Sequence, residues 1–306
     1  MNENKLSNEP FTILVLGGSG FIGSNTVKQL NSQTGRQYKL KVLSRNCPKE
    51  NNFGVEYIRG DVKKIENLNS AMKDVDVVIN VVGILRETAD QTFENVHVQG
   101  TTNIIKACKN NRIKHLIVVG GIRPDPALKD RFTVSKVRSE RIIRESNLPF
   151  TILRSSMVFS RNIESGVLGR ISQSLEKLKP LSVLPNGGTG TFQPIFIDDL
   201  IDCVKFCIEK KDLVVGNTYD IAGFDVWTYK MLVKLVQNVA NISTIDINLK
   251  AGFIFPLVSI MSQVFRNPLV TVNELRQILL DNRVEDNDLT KIFGVKHTSL
   301  RKELFE

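Results

Sequence analysis

With 306 residues, 42% of them hydrophobic and 24% charged, the chain is long enough to bury a substantial core and has the balance of an ordinary globular protein. Its 41 Lys and Arg against 32 Asp and Glu give a formal charge of +9, which suits anionic lipid or an acidic protein partner. The basic residues are scattered, without a run of five or interleaved aromatics, so the charge reads mainly as a solvated surface and not as a nucleic-acid interface, and no apolar run reaches the roughly 18 residues of a membrane span.

Met1–Pro10 is polar with both charge signs and reads as a flexible N-terminal segment, without the apolar core of a signal peptide or the character of an Arg-rich transit peptide. Phe11–Leu16 is a strand-like apolar run that leads through a glycine loop into a helix predicted from Phe21 to Leu30. Further strands are predicted at Leu40–Leu43, Val55–Ile58, Val77–Val82, Leu116–Val119 and Phe150–Leu153, with helices at Thr102–Asn110 and Val134–Glu145 among them. Strands alternating with helices predict a Rossmann-type doubly wound α/β fold, a parallel sheet covered on both faces, over residues 11–160. After Ser160 the rhythm changes to Gly- and Pro-containing loops such as Leu184-Pro185-Asn186-Gly187-Gly188, then short strands and a helix starting near Asp198. Residues 161–306 are therefore expected to form a smaller substrate-side C-terminal lobe interleaved with the core.

Within that lobe, Ala251–Phe265 is apolar on nearly every face. It is too short to span a bilayer and reads either as a buried lobe helix or as a peripheral membrane or partner contact. Exposure of Phe253, Phe255, Leu257 and Phe265 would favour docking. Cys47, Cys108, Cys203 and Cys207 lack metal-ligand or redox spacing, so buried free thiols, a reducing compartment and no metal site are expected.

The chemistry concentrates in Gly17-Gly18-Ser19-Gly20-Phe21-Ile22-Gly23, whose Gly-x-x-Gly-x-x-Gly spacing falls between a strand and a helix. A tight turn, close approach of a pyrophosphate and a helix packed hard on the sheet all require missing side chains, and the exposed amides of the helix start hold phosphates. The second strand ends in Ser44-Arg45, where an NAD site usually carries Asp or Glu. Ser44 leaves room and the Arg45 fork matches a 2′-phosphate, so NADP(H) is favoured over NAD(H). Asp61 and Val62, closing the third strand, are positioned to flank the adenine, although an Asp there is often only a turn residue.

The glycine loop, Gly60-Asp61-Val62, Asn80-Val81-Val82-Gly83 and His97-Val98-Gln99-Gly100-Thr101 resemble the short-chain dehydrogenase/reductase superfamily, in its atypical or extended branch. Leu153–Phe159, Phe192–Leu200, Asn217–Gly223 and Leu279–Val284 are most similar to the reductase-like accessory subunit of respiratory complex I and its bacterial homologues. The resemblance implies that Gly17, Gly20, Phe21, Ile22 and Gly23 cradle the pyrophosphate and Arg45 the 2′-phosphate. It places Asp61 and Val62 at the adenine, Val82 and Gly83 on the adenosine side, Lys136 at the nicotinamide ribose, and Ser155, Met157 and Val158 along the nicotinamide.

Departures from that family are equally informative. Phe132 stands four residues before Lys136, where active relatives keep the Tyr of Tyr-x-x-x-Lys, and Gly120-Gly121 stands where they keep Ser or Thr. A phenyl ring neither gives nor takes a proton. His97 replaces a usual Asn, and Ser155 a usual Pro. The expectation is an NADP(H)-binding accessory, structural or regulatory subunit, associated with respiratory complex I subunits in a cytoplasmic or mitochondrial-matrix-type compartment and peripheral to a membrane. Two further readings stay open: an active NADP(H)-dependent oxidoreductase or sugar-nucleotide epimerase using Lys136, and an NmrA-like redox-sensing regulator. His97 reads either as a substitute acid or as a packed, hydrogen-bonded histidine.

Overall fold

The computed structural model describes residues 11–32, 38–47, 54–122, 130–264 and 268–305. The Met1–Pro10 segment and Phe265 lie outside the described residues. Seven strands, β1 (Thr12–Leu16), β2 (Lys39–Ser44), β3 (Glu56–Arg59), β4 (Val77–Asn80), β5 (His115–Gly121), β6 (Phe150–Ser155) and β7 (Thr218–Ile221), form one sheet in the order β7-β6-β5-β4-β1-β2-β3. Every neighbouring pair in it is parallel. This is the expected Rossmann-type doubly wound α/β arrangement, and its strand order reverses between β1 and β4, where a crevice opens at the strands' carboxyl ends.

The reason this chain builds such a sheet is visible in β1, whose five residues are all buried. Ile13 and Val15 enter one core while Leu14 and Leu16 enter the other, the period-two alternation of a strand covered on both faces. On the first face pack α1 (Phe21–Asn31), through Val27 and Leu30, and later α6 (Ile197–Glu209), through Leu200, Ile201 and Val204. On the second pack α2 (Ile65–Ala71), through Leu68, and α3 (Gly100–Asn110), through Ile104 and Ile105. The sequence reading did not include α2, nor the π-helical turn Glu94–Gln99 that leads into α3.

Two boundaries differ from the sequence expectation, each for a local reason. β4 stops at Asn80 rather than Val82 because the Asn80 side chain accepts the Val82 amide (3.0 Å) and turns the chain. Helix α4 (Arg131–Arg144) begins three residues before Val134 because Asp130 caps it, accepting the Thr133 amide at 3.0 Å.

Residues after 160 supply β7 and α6 to the main sheet and also a smaller set of elements. These are α5 (Gly166–Leu178), the short α7 (Lys211–Val214), α8 (Tyr229–Val239), α9 (Ala251–Val264) and α10 (Val272–Leu279). A parallel ladder pairs Leu181–Pro185 with Ile245–Leu249. Thr191–Phe192 lies between Trp227–Thr228 and Asp281–Asn282. Ile254, Val258 and Leu275 form a small separate core between α9 and α10. Among the described residues no helix is long and apolar enough to cross a membrane.

Candidate functional site

The crevice is built around the turn that leaves β1. Gly17 has φ of +85°, and a Cβ there would lie 3.1 Å from Val82 Cγ2, so this residue can be little else. At Gly23 a Cβ would sit 2.3 Å from the Gly17 carbonyl oxygen, which is why α1 can pack directly on the turn. Gly23→Ala is therefore expected to destabilise the fold by about 3 kcal/mol, because the obstacle is backbone. Gly121→Ala, with nothing within 4 Å of the added carbon, should leave urea unfolding nearly unchanged. Equal losses at both positions would contradict the close-packed turn.

Gly20 is the N-cap of α1 and supplies no side-chain acceptor, and the first turn of α1 contains no acid. The helix thus presents uncapped amides and the positive end of its dipole to the crevice. Gly17, Ser19, Gly20, Arg45, Asp61, Val62, Val82 and Gly83 line one cleft together, joined by Leu43, Ser44, Gly60, Val81, Ile84, Gln91 and Val96. Of the sequence-identified loop residues, Gly18, Phe21, Ile22 and Gly23 form its backing rather than its lining. Ile84, Gln91 and Val96 were not anticipated; the only signal for them was their position just beyond Asn80-Val81-Val82-Gly83.

At the end of β2, Ser44 is buried, and its hydroxyl donates to the Asn46 carbonyl (2.9 Å) and meets the Ser19 hydroxyl at 2.6 Å. Since Ser44 spends its only proton on Asn46, Ser19 is the donor of that pair. Arg45 beside it is exposed and has no side-chain partner among the described residues. Asp61 accepts the Lys63 amide (2.9 Å), so it does serve a turn while lining the cleft.

Around α4 the geometry settles the role of His97. Ser135 donates its hydroxyl proton to the Phe132 carbonyl (2.7 Å), so its contact with His97 Nδ1 (2.9 Å) requires Nδ1 to carry the hydrogen. Nε2 is then the lone-pair nitrogen, and it accepts the Ile84 amide at 3.1 Å. Burial, reinforced by the charge of Lys136, pushes the His97 pKa down to about 3. A neutral ring with both nitrogens engaged has no proton to deliver, so the packed reading holds and the substitute-acid reading is corrected. His97 clamps the cleft-lining segment at Ile84 to α4.

The Phe132 ring packs edge-on against Phe93 (centroids 5.3 Å apart) and His97 (5.8 Å). Among the described residues no phenol joins this cluster: Tyr38 packs on Phe11 and Tyr219 on Phe293. Lys136, one turn on, is half-buried, and desolvation lowers its pKa against the opposing pull of Glu140. Glu140 itself is engaged by Arg154 at 2.6 Å, and the Lys136 ammonium has no hydrogen bond or ion pair among the described residues. At the end of β5, Gly120 and Gly121 leave open space, and the Ser155 hydroxyl donates to the Gly120 carbonyl (3.0 Å). Ser155 and Val158 are buried and Met157 half-buried; none of the three lines the cleft, and Gly166 sits between the Val158 carbonyl and the Phe21 ring, where a Cβ would lie 3.3 Å from the first and 3.0 Å from the second.

Among curated proteins, the 40 kDa subunit of mitochondrial NADH-ubiquinone oxidoreductase from Neurospora crassa is 21% identical over 290 residues, 93% of this chain and 75% of its own. The photosystem II assembly factor Ycf39 of Synechocystis is 24% identical over 74% of this chain and 67% of its own. Among solved structures, MoeE5 in complex with UDP-glucose and NAD superimposes with a TM-score of 0.71, at 16% identity and 95% coverage of both chains. The profile of one family spans residues 13–222, from the first strand of the sheet to the end of the seventh. That span takes in the parallel sheet, its reversal of strand order and the glycine turn, and the chain belongs to the NAD dependent epimerase/dehydratase family.

Proposed function

We propose that this protein holds NADP(H) in the β1–β4 crevice as a structural or regulatory group and serves as an accessory subunit of a complex-I-type assembly. The observation that carries the reading is Phe132, an aromatic ring turned into a cluster with Phe93 and His97 beside a lysine whose side chain has no hydrogen-bond or ion-pair partner among the described residues. The residues suit the group. Gly17, Gly18, Ser19, Gly20, Phe21, Ile22 and Gly23 would take the pyrophosphate at the uncapped start of α1, and Arg45 the 2′-phosphate. Asp61 and Val62 would flank the adenine, Val82 and Gly83 the adenosine side, Lys136 the nicotinamide ribose, and Ser155, Met157 and Val158 the nicotinamide end.

Bound NADPH supplies a hydride for a carbonyl carbon. This chain offers neither a phenol at position 132 nor a hydroxyl at position 120 to protonate or polarise the oxygen, and acid catalysis alone is typically worth about 10²–10⁴-fold in rate. Retention of the nucleotide instead stabilises the fold, by about 2.7 kcal/mol at a hundredfold excess over Kd. The likeness to the Neurospora subunit supports the partner. The free cysteines, with Cys108 pushed up to about 12 by burial and Cys203 and Cys207 also raised, support a reducing compartment of the cytoplasmic or mitochondrial-matrix type.

Mass spectrometry of the natively purified protein tests both parts at once. Copurified NADP(H) together with membrane-complex subunits is the expected result; an empty protein whose melting temperature does not respond to NADPH would overturn the reading. A second reading, turnover with Lys136 as the acid, draws on the desolvation of that lysine. It predicts reductase or epimerase activity that disappears in Lys136→Met, whereas the quiet-site reading predicts none in the unaltered chain and weak activity gained in Phe132→Tyr.

A further inference from the structure

Helix α9 divides its side chains in a way that α6 and α8 do not. It is fourteen residues long and carries no charge. Ile254 and Val258 face inward, where with Leu275 of α10 they form a core of their own, flanked by Val183, Leu249 and the half-buried Phe255. Phe253, Leu257 and Ile260 point outward at 76%, 56% and 60% exposure. Their spacing of four and then three residues puts them on one stripe, and the inward face is already satisfied.

We infer that this outer stripe of α9 docks on an anionic membrane surface, with Phe253, Leu257 and Ile260 entering the boundary between headgroups and acyl chains. At about 21 Å the helix is too short to cross a hydrocarbon core of about 30 Å, so it lies in the plane of the interface. Charge selects the occupant. Lys250, one turn before Phe253, is exposed and its side chain has no partner among the described residues, while its carbonyl accepts the Phe253 amide at 3.0 Å. Arg276, in the last turn of the packed helix α10, is likewise exposed and without a partner among the described residues. The acid of α10, Glu274, is consumed by Arg86 and Arg170. Lys250, next in sequence to the start of the helix, is thus an exposed cation without a side-chain partner among the described residues, on a chain of net charge +9. A protein partner would be met by a polar rim of mixed character around the apolar centre; an anionic bilayer needs only apolar residues flanked by positive charge. The inference does not depend on nucleotide binding.

Flotation of the full chain with phosphatidylcholine vesicles containing about 30% phosphatidylglycerol provides the test. The unaltered chain is expected to float with them, and about tenfold less with phosphatidylcholine alone. Phe253→Ser/Leu257→Ser should lose binding by about tenfold or more, and Lys250→Gln should weaken it and flatten its salt dependence. Unchanged circular dichroism and an unchanged melting temperature show that the variants are folded, as expected for exposed positions. If the folded, unaltered chain stays unbound on the phosphatidylglycerol vesicles, the inference falls and the stripe belongs to a protein partner. It falls equally if the double serine variant floats as well as the unaltered chain.

Discussion

NADPH is expected to bind Arg45→Ala about 10- to 100-fold more weakly than the unaltered chain, with NADH affinity unchanged, in titrations of nicotinamide fluorescence at fixed salt. The argument starts from the end of β2. A carboxylate at that place would accept the ribose hydroxyls of NADH and repel a 2′-phosphate. The chain has Ser44 instead, with its hydroxyl tied to Asn46 and Ser19 and carrying no charge. Arg45 is the adjacent cleft-lining cation, exposed and uncommitted among the described residues, so a dianionic phosphate would be met by a guanidinium that gives up no existing bond. Because Arg45 is exposed, part of this preference is screened, and the NADPH-to-NADH ratio should shrink as salt rises. If Arg45→Ala weakens both cofactors equally, or if the unaltered chain already prefers NADH, the 2′-phosphate assignment is wrong.

Much of the sheet was legible because its signals are local. The apolar run at β1, the glycine spacing and the uncapped helix start sit within twenty residues of one another, and the second to sixth strands announce themselves as short apolar runs. The seventh strand was harder. Thr218-Tyr219-Asp220-Ile221 alternates like an edge strand of any small sheet, and only its pairing with Ile152–Ser155 far upstream assigns it to the main one. The π turn at Glu94–Gln99 escaped for a similar reason, since a five-residue hydrogen-bond repeat leaves no periodic mark in six residues.

His97 shows where residue type runs out as evidence. The sequence offered an acid or a packed ring, and the choice depended on Ser135 and Ile84, which reach it from a different helix and a different loop. Helix α9 is the complementary case. A segment apolar all round gives no sequence cue to its orientation. The choice between burial and docking therefore had no single answer: Ile254 and Val258 are buried, whereas Phe253 and Leu257 are exposed.

Acidification from pH 7.5 to 4.5 is expected to remove about 5 kcal/mol of stability through two buried histidines, a large share of the roughly 5–15 kcal/mol a domain possesses. His97 and His115 are 4% and 0% exposed, and burial, with Lys136 and Lys211 respectively adding to it, holds their pKa values at about 3 and about 4. In the unfolded chain both titrate near 6.5. Below that pH the unfolded state therefore takes up protons that the native state refuses, so stability is full above about 6.5 and falls as pH drops, by about 1.4 kcal/mol per unit for each histidine. Asp199 and Asp288, raised by burial, act with the opposite sign between the ordinary carboxylate pKa and their raised values. Urea unfolding at pH 7.5, 6.5, 5.5 and 4.5 reads the slope directly. His97→Gln keeps an acceptor for the Ile84 amide and removes one titrating group, so it should halve the slope between pH 6 and 5. The same substitution separates the site from the fold. Native His97 stays neutral through this range and keeps its bond to Ile84, which lines the cleft, so nucleotide affinity of the folded chain should show no acid dependence that the Gln variant lacks. A stability profile flat from pH 6.5 to 5, or one identical in the two proteins, would show that His97 is not held neutral and that the clamp between Ile84 and α4 is misassigned.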